Sequence, residues 1–150
     1  MRRERYWAPY HAMLHELIET TRARCGHAVL LDAHSIRSEL PRLFPGRLPN
    51  INVGTNDGKS CELALSDRLM GVLKQHTAFT HVINGRFKGG YITRHYGNPA
   101  QNVHAVQLEL AQSAYMNEAT TDYDAQAAQP LQSVLRRLID ELLRFRPTRV

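Results

Sequence analysis

The stretch AVLLDAHS, residues 28–35, decides the architecture. Its first four positions are apolar without alternation, which predicts a strand covered on both faces and set centrally in a sheet. The run then breaks at Asp32, His34 and Ser35. A buried strand has no use for a carboxylate and an imidazole. Either the chain turns into solvent here, or the strand delivers chemistry at its carboxyl end, where ligands of open α/β sheets gather.

Working outward, residues 5–24 predict a helix, with Trp7, Tyr10, Leu14, Leu17 and Ile18 as its apolar stripe and Gly26 as its cap. Residues 36–60 carry Pro41, Pro45, Pro49, Gly46, Gly54 and Gly58 and read as loop, apart from a short strand INVG at 51–54. A second helix runs over 61–73 through Leu63, Leu65, Leu69, Val72 and Leu73. THVING, 80–85, reads as a strand closing in an Asn84-Gly85 turn, and 86–102 as a polar, glycine-rich loop. In VHAVQLEL, 103–110, a period of two puts Val103, Ala105, Gln107 and Glu109 on one side of a strand. The last helix, 125–145, shows an apolar face of Leu131, Val134, Leu135, Leu138, Leu142 and Phe145. Helices alternating with apolar strands predict an α/β fold of three layers, an α/β/α sandwich, as one domain over 1–150.

Bulk properties narrow the function classes. With 43% hydrophobic and 22% charged residues the 150-residue chain has an ordinary globular composition and length enough for a core. Its longest apolar runs fall far short of a membrane span, and no apolar segment with a cleavage site follows the basic start MRRERYW. Cys25 and Cys61 sit in no close-spaced motif and read as free thiols, so a cytoplasmic location is expected. The net charge of +5 is spread along the chain without zinc-finger spacing or an aromatic RNA-binding strand. No nucleic-acid or membrane partner is expected. A basic pocket for a small anion fits better.

Chemistry is expected at three places. His34, on a strand tip, is a candidate metal ligand, with Asp32 as the group that orients it. Glu109, leaving the last strand, is a candidate general base. The loop NGRFKGGYITRHYGNP, 84–99, sets Arg86, Lys88, Arg94 and His95 among glycines, and an arginine grips a carboxylate through two parallel hydrogen bonds. Two other patterns are read as decoys. His11, His15 and Glu19 rotate away from the helix stripe toward solvent and lack the HExxH order. Asp57-Gly58-Lys59-Ser60 ends like a phosphate loop without the upstream glycine.

LLDAHSIRSELPRLFPGRLPNINVGTNDGKSC, NGRFKGGYITRHYGNP and VHAVQLELAQSAYM, in that order, resemble the C-terminal half of the N-formylglutamate amidohydrolases. The resemblance implies hydrolysis of N-formyl-L-glutamate to formate and L-glutamate, the last step of one histidine-degradation route. It implies a fold similar to the zinc carboxypeptidases and aspartoacylase-like enzymes, phosphorylase/hydrolase-like, with a mixed sheet. No PHSG segment of the family's N-terminal half occurs, so the family fold is expected to lack its N-terminal part. Transferred by motif, His34 is the metal-binding histidine, with Zn2+ or another divalent ion as cofactor, and Glu109 the catalytic base. Arg94 is the substrate-carboxylate arginine, with Arg86 a second candidate and Asp32, Asn52 and His95 in support. The expected ligand is a small anionic N-acyl amino acid, and a homodimer is expected to cover exposed sheet edges. Two alternatives accompany this reading: a catalytically silent homologue acting as an interaction module, and a hydrolase of a related N-acyl amino acid.

Overall fold

The computed structural model describes residues 1–148. In chain order the elements are α1 (Ala8–Cys25), β1 (Ala28–Ile36), β2 (Ile51–Gly54), α2 (Leu63–Gln75), β3 (His81–Ile83), α3 (Tyr91–Tyr96), β4 (Val103–Ala111) and α4 (Ala125–Arg144), with a π-helical turn over Arg3–Trp7 leading into α1. The four strands form one sheet in the order β1-β4-β2-β3. β4 runs parallel to β1 and antiparallel to β2, and β2 parallel to β3, so the sheet is mixed. No helix among the described residues is long and apolar enough to cross a membrane.

Strand alternation divides the sheet into two unlike faces. On one, Ile51, Val53, Val106 and Leu108 join Leu65, Leu69 and Leu73 of α2 and Leu131, Val134, Leu138 and Leu142 of α4 in the main core. On the other, Ala28 and Val103 pack with Ile18 of α1 and Tyr96 of α3. Helices on both faces of a mixed sheet give the expected three layers. α4 is the best anchored of them at its start, since the Asp124 carboxylate accepts hydrogen bonds from the Gln126 and Ala127 N–H groups, each at 3.0 Å.

Three expectations need correction. β1 is not central: it pairs with β4 alone and lies at the sheet edge. Val29 and Leu31 pack toward the main core and Leu30 toward the α1 cluster, so the unbroken apolar run reports two covered faces, not two strand neighbours. Strand β4, with partners on both sides, holds the centre. The α1 stripe is also displaced. Trp7, Tyr10 and Leu17 are exposed, and the helix seats through His11, Leu14 and Ile18. His11 faces inward because Tyr96 satisfies it: its Nδ1–H donates to the phenol oxygen at 2.7 Å, and that hydroxyl donates to the His11 carbonyl at 3.1 Å. Finally, 86–102 is not all loop, since it contains α3.

The long loop after β1 is tied down by Glu118. Its carboxylate accepts from the Ser38 N–H at 2.6 Å, the Ser38 hydroxyl at 2.7 Å and the Ser113 N–H at 3.0 Å. Partial burial works against the charged form, but these hydrogen bonds and the nearby Arg37 outweigh it and hold the carboxyl below its usual range.

Candidate active site

The second face of the sheet turns polar toward the carboxyl ends of β1 and β4. Register sets two rows across three strands: His34, Glu109 and Asn52 in one, Asp32, Gln107 and Gly54 in the next. Each side chain points to the same face because partners in a ladder share a face and the period is two. Glu109, Gln107 and Asn52 are 6%, 5% and 1% exposed, so this is a buried polar floor and not a solvated strand end.

Each member is held in a definite way. The His34 Nε2–H donates to Asp32 Oδ1 at 2.7 Å, which fixes the tautomer and leaves the Nδ1 lone pair for a ligand. The Asn52 amide nitrogen donates to the carbonyls of Pro49 and Glu109, at 2.8 and 3.1 Å. Its Oδ1 is buried with no partner among the described residues, a vacant acceptor beside Glu109. Burial pushes the Glu109 carboxyl up; the charge of His34 pulls it down and that of Asp32 adds to the rise. A buried carboxylate displaced in this direction is a stronger base than one in water.

The glycine-rich loop closes over this floor. A Cβ on Gly54 would lie 2.6 Å from the Gly89 nitrogen and 2.7 Å from the Lys88 carbonyl carbon, so the loop crosses β2 backbone on backbone. Gly89 has φ +120°, which side chains rarely permit, and Thr93 fills the place of its missing Cβ. The Asn56 N–H donates to the Lys88 carbonyl at 2.6 Å, and Lys88 pairs with Asp57 at 3.1 Å. Arg94 extends along the loop, its Nη1 donating to the Gly89 carbonyl at 2.6 Å, and its side chain is exposed.

The other basic candidates go elsewhere. Arg86 donates to the Leu43 carbonyl. His95 stacks on Tyr91 with centroids 4.8 Å apart, in an aromatic cluster completed by Trp7, His11 and Tyr96. The would-be phosphate loop is a tight turn with Asn56 and Asp57 in left-handed conformations, and its Ser60 hydroxyl is spent on the Ala105 carbonyl at 2.7 Å. Cys61 is buried and its thiol is pushed up to about 11, mainly by burial, which makes it a poor nucleophile. Gln107 escaped the sequence reading as a functional residue. The signal was present in the period-two pattern that sets it on the side of Glu109.

Comparison with known proteins places this arrangement. A family model described as N-formylglutamate amidohydrolase matches residues 1–116. The chain belongs to the N-formylglutamate amidohydrolase family. It is 53% identical over 141 residues to an N-formylglutamate deformylase of Pseudomonas putida, covering 93% of this chain and 53% of that protein. It is 54% identical over 138 residues to a deformylase of Pseudomonas aeruginosa, covering 91% of this chain and 52% of that one. The crystal structure of an N-formylglutamate amidohydrolase from Ralstonia eutropha JMP134 superposes with a TM-score of 0.78 at 31% identity, over 95% of this chain and 51% of that one.

These matches correct the expectation of a C-terminal half whose fold lacks its N-terminal part. The family model matches from residue 1, and the likeness to an N-formylglutamate amidohydrolase extends over 91–95% of the chain in sequence and structure. The chain spans about half the length of the family members it matches. Among the described residues, no group of three or more His, Cys, Asp and Glu is placed to hold a metal ion. His34 and Asp32 are two donors, bonded to one another, and catalytic zinc normally takes three protein ligands. The donors among the described residues therefore fall short of a complete zinc centre.

Proposed function

We propose that this chain acts as an amidohydrolase on N-formyl-L-glutamate, releasing formate and L-glutamate. The observation that carries the reading is the buried Glu109 at the middle of a polar floor, flanked by His34 and Asn52 and bordered by a loop that presents Arg94. The deformylases of similar sequence support the choice of substrate. Three of the roles belong to groups already positioned. Arg94 takes a carboxylate of the substrate, since its exposed guanidinium is anchored at one nitrogen and has no other hydrogen-bond partner among the described residues. Asn52 Oδ1 accepts the formamide N–H, which relieves an otherwise unpaired buried oxygen. Glu109 takes a proton from water as the water oxygen bonds to the formyl carbon. The carbonyl π pair moves onto oxygen, and its return breaks the carbon–nitrogen bond. The departing glutamate nitrogen collects the proton from Glu109.

His34 is the ligand we assign to a divalent metal, zinc by family resemblance, oriented by Asp32. The donors among the described residues do not complete such a site, and the proton transfers above use this chain's own groups. Arg86 is the second candidate for the substrate carboxylate and His95 a supporting group, and both must leave their present contacts, with the Leu43 carbonyl and the Tyr91 ring, to reach the substrate. The same reading includes self-association along β1, whose outer edge has no strand neighbour among the described residues. Light scattering at rising concentration tests that part, and a monomer throughout counts against it.

The deciding experiment is release of formate and glutamate by this chain, with N-acetyl-L-glutamate alongside. Formyl-specific turnover supports the reading. Faster turnover of the acetyl compound shifts it to a related N-acyl amino acid. An absence of turnover with either substrate rejects it.

A further inference from the structure

Gln107 has no part in the proposal above, yet its side chain links the floor to the loop that covers it. Its Oε1 accepts the Gly90 N–H at 2.5 Å. That contact settles which end of the carboxamide is oxygen, so the amide nitrogen faces Glu109 and reaches its Oε2 at 3.5 Å. The same loop that Gln107 holds at Gly90 is held by Arg94 at the Gly89 carbonyl, 2.6 Å away, and the Arg94 N–H donates to the Gly90 carbonyl at 3.1 Å. A single side chain therefore joins the loop bearing the arginine to one oxygen of the carboxylate. It does so from within the floor, at 5% exposure, where few alternative partners exist.

We propose that Gln107 is a positioning residue: it pins Glu109 Oε2, leaves Oε1 for the proton transfer, and couples the seat of the Gly89–Gly90 loop to the orientation of the carboxylate. This rests on Glu109 as the base. The geometry has a built-in consequence. A ligand that pulls on Arg94 moves the loop, the loop moves Gly90, and Gly90 carries the carboxamide with it. Substrate seating and base alignment then become one event.

Two variants separate the two bonds. Gln107→Glu keeps the acceptor for the Gly90 N–H but replaces the amide donor to Glu109 by a second carboxyl that competes with it for a proton, while Gln107→Met keeps the length and loses both. With N-formyl-L-glutamate, Gln107→Glu should lower kcat roughly tenfold, the lower end of what losing an orienting partner costs. Its KM should stay within about twofold, because the loop keeps its anchor. Gln107→Met should lower kcat comparably and also raise KM several-fold, since the loop is released. A merely structural glutamine would change stability in both variants without splitting kcat from KM in this way.

An amide spectrum of the unliganded chain reads the link without turnover. The Gly90 amide proton should lie downfield in wild type and in Gln107→Glu and move upfield in Gln107→Met. The Gln107 side-chain NH2 pair should shift in Glu109→Gln. A Gly90 resonance indifferent to Gln107→Met, or an NH2 pair indifferent to Glu109→Gln, overturns the proposal. So does an active wild type whose two variants match it in kcat and KM. A silent wild type whose spectra behave as expected rejects the hydrolase reading and leaves the link standing.

Discussion

Between Val106 and Glu109 the two faces of the nine-residue strand β4 differ sharply in chemistry. Val106 and Leu108 pack under α2 and α4, while Gln107 and Glu109, one step along in each case, form the floor beneath the glycine-rich loop. Both faces are buried, which is where they agree. On the apolar face burial itself is favourable and the contacts are interchangeable within limits of volume. On the polar face burial is costly, and each group must be matched to a partner or held in readiness for one. Over these four residues the difference teaches that packing and chemistry are separated by alternation, at a spacing of one residue.

That separation can be broken or sharpened by substitution. The largest effect is expected from Glu109→Gln, which should lower formate release roughly 10²–10⁴-fold, the range general-base removal covers, with the melting temperature unchanged or raised. Loss of fold with loss of activity would mean that the polar face also holds the structure together. On the opposite face, Leu65 is fully buried, and Leu65→Ala should cost about 2–5 kcal/mol in urea denaturation. The Michaelis constant of the molecules still folded should not change. Asp32→Asn tests the support of His34 and should lower turnover roughly 10–100-fold, again with little change in the urea midpoint.

The smallest expected effect lies outside both faces. Glu118→Gln should reduce stability at neutral pH by about 1 kcal/mol through weakened hydrogen bonds to Ser38 and Ser113. The folded-state carboxyl sits below its ordinary value of 4.5, so its contribution is present above pH 4.5 and lost as pH falls through the lower folded value. Stability curves of wild type and variant should therefore converge on acidification. Parallel curves would show that the Ser38 and Ser113 contacts do not depend on the charge.

Much of this contrast was legible in residue order, because alternation and helical spacing are local properties. The apolar stripe of α4 and the pairing of Gln107 with Glu109 on one side of β4 follow from spacing, and INVG forms β2 where turn residues bound it. What could not be read was set by distant chain. β1 looks central because both its faces are covered, but its neighbour count depends on where β4 docks. His11 looks solvated until Tyr96, far along the chain, supplies its partner. α3 is only six residues long and flanked by glycines, too short to show a period. For the site, the strand-end residues announced themselves by breaking apolar runs. The burial of Glu109, the empty acceptor on Asn52 and the grip of Gln107 on Gly90 arise only once three strands and a loop meet.

The backbone-on-backbone crossing of Gly54 and Gly89 has one more consequence. Where a loop rests on side chains, its height above a sheet can be adjusted by exchanging one residue for a larger or smaller one. Here the roof stands directly on the main chain of β2 at Gly54, opposite Gln107 and one row from Glu109. A side chain at Gly54 can only raise that roof. The height of the loop over β2 is fixed by main chain, and exchange of side chains elsewhere on the strand leaves it unchanged.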